Sequence, residues 1–299
     1  MRVFVAGKSG QLATALAHLH GQAAGTSTFE ISCFGRTDFD LTSLESVREA
    51  ITSRRPGAVI NAAAYTAVDG AEDDEENAFL LNAIGAENLA RVCADLDIPF
   101  LHISTDYVFD GQKEGPYTEQ DTPNPQGVYG RSKLEGELRV MRTNPHSLIF
   151  RTAWVYSPYG KNFVKTMLAL AEKRDELGVV ADQVGNPSYA PDLAAALLAI
   201  CHGLSEAEDW HPLAGLYHLA GSGTTNWHGF AEQTFSVGSR FGHPVPRVNE
   251  LTTAEYPTPA KRPANSRLDC SKLRDIFGIT LPHWHHSLER CVSILLAEK

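Results

Sequence analysis

The chain has 299 residues, of which 43% are apolar and 21% are charged, and its formal net charge is −10. This composition is typical of a soluble globular protein that is large enough for one α/β unit or two lobes. The acidic balance disfavours nonspecific binding to nucleic acid or to an anionic membrane surface. Five scattered cysteines without metal-ligand spacing, and an N-terminus unlike a signal peptide, predict a cytoplasmic protein.

Strand-like and helix-like segments alternate through the first half of the chain. Short apolar runs predict strands at Arg2–Ala6, 31–34, Ala58–Asn61, 100–104 and 147–151, and apolar periodicity predicts helices at 11–20, 43–51, 79–94 and 128–141. The strand runs lack polar alternation, which indicates strands buried on both faces and therefore a parallel sheet. Strands that alternate with helices predict a doubly wound, Rossmann-type α/β fold with right-handed crossovers.

The pattern becomes irregular in the second half. Helices are predicted at 162–172, 192–202 and 227–238, and the proline-rich segment 256–263 is expected to be extended or looped. No long polar linker separates the two halves. We therefore expect residues 1–155 to form a dinucleotide-binding domain that carries the catalytic residues. Residues 156–299 would mainly form a smaller C-terminal substrate-binding lobe, with some segments returning to the first domain.

A glycine-rich turn follows the first predicted strand. Gly7 permits a tight turn, Gly10 lets the backbone approach a pyrophosphate, and Ala13 allows close packing of the helix on the strand. The strand before this turn and the helix after it supply the context that a dinucleotide-binding turn requires.

The end of the second predicted strand bears on the choice of cofactor. Arg36 stands there, and its guanidinium would suit the 2′-phosphate of NADPH. An acidic residue at this place would instead hold the ribose 2′-hydroxyl of NADH. Asp38 and Asp40 follow closely, so the sequence favours NADPH and leaves NADH as the alternative.

Two polar side chains lie four residues apart on the helix predicted at 128–141. Tyr129 and Lys133 therefore share one helix face. An ammonium beside a phenol would lower the pKa of the tyrosine toward the range in which it can exchange a proton. Ser104 and Thr105 stand at the end of the fourth predicted strand, where ligands of open α/β sheets bind, and a hydroxyl there could polarise a ketone oxygen. Together with the glycine turn, these residues predict a dinucleotide-dependent oxidoreductase.

Several longer stretches carry a recognisable pattern. They are Gly-Lys-Ser-Gly-Gln-Leu at 7–12, Asn-Ala-Ala-Ala-Tyr-Thr-Ala-Val-Asp at 61–69, Ser-Thr-Asp-Tyr-Val-Phe-Asp-Gly at 104–111, Tyr-Gly-Arg-Ser-Lys-Leu-Glu-Gly-Glu at 129–137 and Phe-Arg-Thr-Ala-Trp-Val-Tyr at 150–156, with further matches at 215–219 and 262–268. Nearly end to end, the chain resembles the dTDP-4-dehydrorhamnose reductase family of the extended short-chain dehydrogenase/reductase superfamily. The resemblance implies NAD(P)H-dependent reduction of the 4-keto group of dTDP-4-dehydro-L-rhamnose to dTDP-L-rhamnose, the last step of dTDP-rhamnose synthesis.

The resemblance also implies roles for individual residues. The catalytic set would be Thr105, Tyr129 and Lys133, with Tyr129 as the proton donor and Lys133 also contacting the nicotinamide ribose. Contacts with the sugar nucleotide are implied for Thr105, Asp106 and Trp154. Cofactor contacts, in addition to Gly7 and Arg36, are implied at Gly10, Gln11, Leu12, Asp40, Leu41, Ala64, Tyr65 and Thr66.

Two further positions concern the substrate diphosphate and a metal. Arg262, framed by prolines, is a candidate partner for the diphosphate, with a structural ion pair as the alternative. Some relatives carry an acidic metal ligand early in the first helix, where this chain has Thr14 and Ala15. We therefore assign no metal ligand, and Mg²⁺ binding stays open.

Other functions share this fold. A nucleotide-sugar dehydratase would have an Asp-Glu pair after the catalytic threonine, where this chain has Asp106 and Tyr107, and an epimerase would return the hydride to its substrate. A non-catalytic subunit of the methionine adenosyltransferase beta type is the alternative outside enzymology. The expected partner is a nucleotide sugar rather than nucleic acid or a membrane, and a homodimer is left open.

Overall fold

The computed structural model describes residues 1–20, 23–24 and 27–297. Strands and helices alternate in its first half. In chain order they are β1 (Arg2–Ala6), α1 (Gln11–Ala17), β2 (Ala23–Ala24), β3 (Ser27–Thr28), β4 (Glu30–Phe34), α2 (Leu44–Arg54), β5 (Ala58–Asn61), α3 (Val68–Asp73), α4 (Glu75–Phe79), α5 (Gly85–Asp95), β6 (Phe100–Thr105), α6 (Val128–Thr143) and β7 (Leu148–Thr152). A π-helical turn, Leu80–Ile84, joins α4 to α5.

The second half contains shorter strands and five helices among the described residues. In chain order the elements are β8 (Val155–Tyr156), α7 (Phe163–Ala171), β9 (Glu176–Val180), β10 (Val184–Gly185), β11 (Ser188–Tyr189), α8 (Ala190–Glu206), β12 (Gly215–His218), β13 (Thr225–Asn226), α9 (Trp227–Ser239), β14 (Arg247–Leu251), β15 (Asn265–Ser266), α10 (Ser271–Phe277) and α11 (Trp284–Ala297). Helices α7, α8 and α9 correspond to the three helices predicted there.

Six parallel strands form the central sheet, in the order β12-β7-β6-β5-β1-β4. Every residue of β5 and β7 is buried, because helices cover both faces of the sheet. The predicted doubly wound parallel sheet is confirmed. Strand β12 comes from the second half and extends this sheet beside β7, and α8 packs its apolar side against α1.

The strand order places the site. Strand β1 has β4 on one side and β5 on the other, so the chain changes direction across the sheet at this point. In open α/β sheets, ligands bind in the crevice at the carboxyl ends of such strands. No helix within the described residues is both long and apolar enough to cross a membrane.

Some element ends differ from the predictions. Helix α1 ends at Ala17 rather than at residue 20, since the N–H groups of Leu19 and His20 bond three residues back, as in a turn. Helix α2 continues to Arg54, and Arg55, with φ of +47°, ends it in the left-handed region. The helix predicted at 79–94 begins earlier, at Glu75.

Candidate active site

A cavity of about 500 Å³ opens where β1, β5, β6 and β7 end. Its walls bring together many of the residues predicted for cofactor, substrate and catalysis. These are Gly10, Gln11, Leu12, Ala64, Thr66, Thr105, Asp106, Tyr129, Lys133 and Trp154. The cleft therefore lies where the glycine turn, helix α6 and the second half of the chain meet.

The glycine turn is built as a close approach between β1 and β5. Gly7 has φ of +124°, a conformation that residues with a side chain rarely adopt, and a Cβ there would lie 3.1 Å from the carbonyl carbon of Ala62. A Cβ at Gly10 would meet nothing within 4 Å, so this side of the turn faces open space in the cleft. The turn thus leaves room for a group that approaches the backbone, as a dinucleotide requires.

The side chain of Gln11 connects this turn to the second half. Its Nε2 donates to the carbonyl of Val155 at 3.2 Å. Its Oε1 accepts from Ser157 Oγ at 2.8 Å and from Asn162 Nδ2 at 3.1 Å. The side chain is therefore committed to holding the segment 155–162 against the glycine turn. A contact between Gln11 and the cofactor, which the resemblance implies, would therefore have to use its backbone.

Thr105 and Asp106 form a buried pair at the end of β6. The Thr105 hydroxyl donates to Asp106 Oδ1 at 3.0 Å and accepts from the Tyr107 N–H at 3.2 Å. Burial raises the pKa of Asp106 to about 6, although the hydroxyls of Ser266 and Thr105 oppose the shift. Among the residues that the structure describes, none forms a hydrogen bond with the buried Asp106 Oδ2. Asp106 thus lies on the cavity wall with one buried carboxylate oxygen unpaired.

Tyr129 and Lys133 lie one turn apart on α6, Tyr129 partly exposed to the cleft and Lys133 buried. Lys133 Nζ donates to the carbonyl of Ile103 at 2.6 Å. Desolvation raises the pKa of Tyr129 to about 12, and the Thr105 hydroxyl, rather than the ammonium, opposes that rise. The expectation that Lys133 brings the pKa of Tyr129 toward neutrality is therefore wrong, because burial dominates. Tyr129 keeps its proton at neutral pH.

A buried ion pair that was not predicted holds α6 against the central sheet. Glu137, one turn beyond Lys133, accepts from Arg151 Nε at 2.9 Å and from Arg151 Nη2 at 2.6 Å. It also accepts from Ser104 Oγ at 2.5 Å. Ser104 and Arg151 face each other across β6 and β7, each one residue before the cleft edge. Glu137 therefore ties α6 to both strands that carry the site, and the helical spacing of Tyr129, Lys133 and Glu137 was the available signal.

The first turn of α6 has an unusual cap. Gly127 offers no side chain, and the N–H of Val128 donates to Glu72 Oε1 of α3 at 2.8 Å instead. On the other side, the amide of Asn82 bonds the backbone of Tyr65 at 2.8 and 3.2 Å and the Ser132 hydroxyl at 2.9 Å. These contacts position α6, and hence Tyr129, relative to the loop after β5.

Trp154 forms one wall of the cleft. It is half-buried, and its φ of +48° lies in the left-handed region. Its indole stacks on Trp227, with 3.5 Å between ring centroids and 9° between planes. Trp227 was predicted only as the start of a helix, so the structure adds it to the site.

Three predicted cofactor residues lie outside the cavity, beyond the end of β4. Arg36 is exposed and has no ion pair or hydrogen bond with the described part of the chain. Asp40 accepts from the Thr42 N–H at 2.9 Å and from its hydroxyl at 2.7 Å. Leu41 is buried in the core beside α5. Lys8, to which no role was assigned, pairs with Asp38 at 3.1 Å in the same region.

Arg262 lies on the proline-rich segment at the substrate side and also outside the cavity lining. Its Nη2 donates to Asp69 Oδ2 at 2.6 Å, and the N–H of Ala260 donates to Asp69 Oδ1 at 3.1 Å. Arg262 therefore forms the structural ion pair that the sequence left as the alternative.

Tyr65, another predicted cofactor residue, packs beside α3 rather than in the cavity. No group of three or more His, Cys, Asp or Glu side chains in residues 1–20, 23–24 and 27–297 is arranged to hold a metal ion.

Comparison with known proteins places the chain in a family. The family model described as RmlD substrate binding domain matches residues 1–297. A dTDP-4-dehydrorhamnose reductase of Sinorhizobium fredii is 47% identical over 298 residues, which are 100% of this chain and 99% of that protein.

Solved structures agree with this assignment. A dTDP-4-dehydrorhamnose reductase from Clostridium acetobutylicum superposes with a TM-score of 0.89 at 37% identity, covering 99% of each chain. One from Bacillus anthracis, in complex with NADP, gives a TM-score of 0.88 at 35% identity, covering 97% of this chain and 98% of that one. The chain therefore belongs to the dTDP-4-dehydrorhamnose reductase family.

Proposed function

We propose that this protein reduces the 4-keto group of dTDP-4-dehydro-L-rhamnose to give dTDP-L-rhamnose, with NADPH as the preferred reductant. The observation that carries the proposal is that Thr105, Tyr129 and Lys133 meet in one cleft with an open glycine turn. The family relatives with this name support the choice of substrate. The activity is tested by following NADPH oxidation when the keto sugar nucleotide is added.

Each residue of the cleft has a separate proposed role in the reduction. When bound, the reduced nicotinamide supplies a hydride to C4 of the sugar, and the carbonyl electron pair moves to the oxygen. Tyr129, which keeps its proton at neutral pH, donates that proton to the oxygen and completes the alcohol. Thr105 polarises the ketone before transfer, and Lys133 holds positive charge beneath the site. Gly7, Gly10 and Leu12 hold the cofactor through their backbone, and Asp106 and Trp154 orient the sugar.

The activity is expected to fall at alkaline pH because Lys133 is buried. Burial disfavours the ammonium and lowers the pKa of Lys133 to about 8, while Glu137 partly opposes this shift. The ammonium is therefore present below that pH and lost above it. We expect kcat/KM for reduction to fall about tenfold per pH unit above about pH 8. A profile that stays flat to about pH 10, the usual range for lysine, would contradict a catalytic role for this charge.

Cofactor preference is tested at Arg36. We propose that the exposed guanidinium of Arg36 binds the 2′-phosphate of NADPH. Arg36→Ala should then weaken NADPH binding roughly tenfold or more, the cost of a charge-assisted hydrogen bond, and leave NADH binding nearly unchanged. Titration of both cofactors against the same variant provides the internal control. Equal losses for the two cofactors would show that Arg36 does not contact the phosphate.

Two rival functions are not favoured. Membership of a reductase family speaks against a dehydratase or an epimerase, and the presence of Thr105, Tyr129 and Lys133 in one cleft speaks against a non-catalytic subunit.

We further propose that the chain divides near residue 155, with the cofactor turn in the first part and the substrate lobe in the second. The proposal also includes a cytoplasmic location, for which the five unpaired cysteines are support.

A further inference from the structure

The backbone of Trp154 is in a conformation that needs an explanation. Its φ of +48° lies in the left-handed region, which a residue with a bulky side chain rarely adopts. Such strain persists only where the surroundings hold the residue in place, and it is found most often at functional sites. The Trp154 carbonyl accepts from the Ser188 N–H at 3.1 Å, which fixes the backbone but not the indole.

One face of the indole is held by Trp227. The two rings are nearly parallel, with 3.5 Å between their centroids. Trp227 is fixed in turn, since its Nε1 donates to Gln183 Oε1 at 3.2 Å. Gln183 is buried, and its Nε2 donates to Thr253 Oγ1 at 3.0 Å. The stacking surface that Trp154 meets is therefore a rigid one.

Gly185 packs against the face of the indole at Cε2. A Cβ at this position would lie 2.6 Å from Trp154 Cε2 and 2.8 Å from Trp154 Nε1, closer than real contacts allow. Only a glycine lets the ring occupy its observed place. Gly185 on β10 pairs with Thr225 on β13, two residues before Trp227, and with Ser266 on β15. The three-stranded sheet β13-β10-β15 therefore carries Gly185, and its strand β13 leads directly into Trp227.

We propose that Gly185 and Trp227 are positioning residues that set the binding of the sugar by holding the Trp154 indole in the cleft. This inference rests on the proposed function, because it takes Trp154 to contact the hexose of a nucleotide sugar. The indole held in this way is half-buried, and its N–H, which has no hydrogen-bond partner in the described part of the chain, can bond a sugar hydroxyl. The contacts with Trp227 and Gly185 therefore fix the orientation of the indole before the substrate binds.

The first variant displaces the indole of Trp154 without changing any side chain that is proposed to contact the substrate. In Gly185→Ala the new methyl group must displace the Trp154 ring. We expect KM for the keto sugar nucleotide to rise and binding of dTDP-L-rhamnose to weaken, each by roughly tenfold, the cost of one lost hydrogen bond to the ligand. Binding of NADPH should not change. The matched control is Gly203→Ala on α8, where a Cβ would meet nothing within 4 Å.

A second pair of variants tests the stacking face. Trp227→Leu should weaken binding of dTDP-L-rhamnose, and Trp227→Phe should recover part of it, because a smaller ring can still stack. Thermal unfolding of each variant establishes that it is folded. Unchanged KM and unchanged product binding in both Gly185→Ala and Trp227→Leu would overturn the proposal. Failure of the proposed function itself would look different, since the wild-type protein would then neither turn over the keto sugar nor bind the product.

Discussion

Tyr129→Phe is expected to lower kcat for reduction by at least about 100-fold while leaving NADPH affinity nearly unchanged. The variant removes only the phenol hydroxyl, and general acids of this kind contribute roughly 10²–10⁴-fold. The ring itself would stay in place, because it packs edge-on against Tyr107 with 5.5 Å between centroids. Steady-state kinetics and a cofactor titration of the same preparation separate the two effects.

Tyr107→Phe is the matched control for this variant. Tyr107 is a neighbour of Tyr129, and burial raises its pKa as well, so it shares the environment but is not assigned the proton. We expect its kcat to stay within about threefold of wild type, since no transition-state contact is lost. A Tyr129→Phe protein that kept more than about a tenth of the wild-type kcat would contradict the donor role.

Glu137→Gln is expected to destabilise the protein by about 3–5 kcal/mol, because it leaves the Arg151 guanidinium buried without its counter-charge. Glu137 is 0% exposed and Arg151 is 2% exposed, so water cannot replace the lost carboxylate. Urea unfolding measures this change. In the same variant the pKa of Lys133 should fall further, since Glu137 is the group that opposes the effect of burial.

The control for Glu137 lies on the same helix. Glu135 pairs with Arg139 at 2.6 Å, but both side chains are about one-third exposed. Glu135→Gln should therefore cost less than about 1 kcal/mol, as exposed ion pairs do. Similar losses for the two variants would show that burial does not set the strength of the Glu137 pair.

The central sheet was largely predictable because its strands are continuous apolar runs. Strands β1 and β5 have the bounds predicted for them, and β6 differs by a single residue. Strand β12 was not predicted as a strand, because four residues of which the first is a glycine carry too little pattern until β7 offers an edge to pair with. Helix α11 has buried residues at helical spacing, such as Leu288, Cys291 and Val292, and could have been found from that periodicity.

The candidate site was predictable where residues lie at strand ends and on one helix face. Thr105, Tyr129 and Lys133 fall into this group, and they meet in the cleft as the spacing indicated. The balance between burial and charge at Tyr129 could not be read from spacing, because it depends on the groups that surround the ring. The stack of Trp154 on Trp227 joins residues far apart in the chain, and no local pattern predicts such a contact.

Reduction of a 4-keto nucleotide sugar in this cleft is measured most directly with NADPH that carries deuterium in the transferable position at C4 of its nicotinamide. The wild-type protein and dTDP-4-dehydro-L-rhamnose should give dTDP-L-rhamnose with deuterium at C4 of the sugar, together with an equal amount of oxidised cofactor. Tyr129→Phe should give almost none. Cofactor that binds but is not consumed, or sugar that is changed without gaining deuterium, would contradict the account.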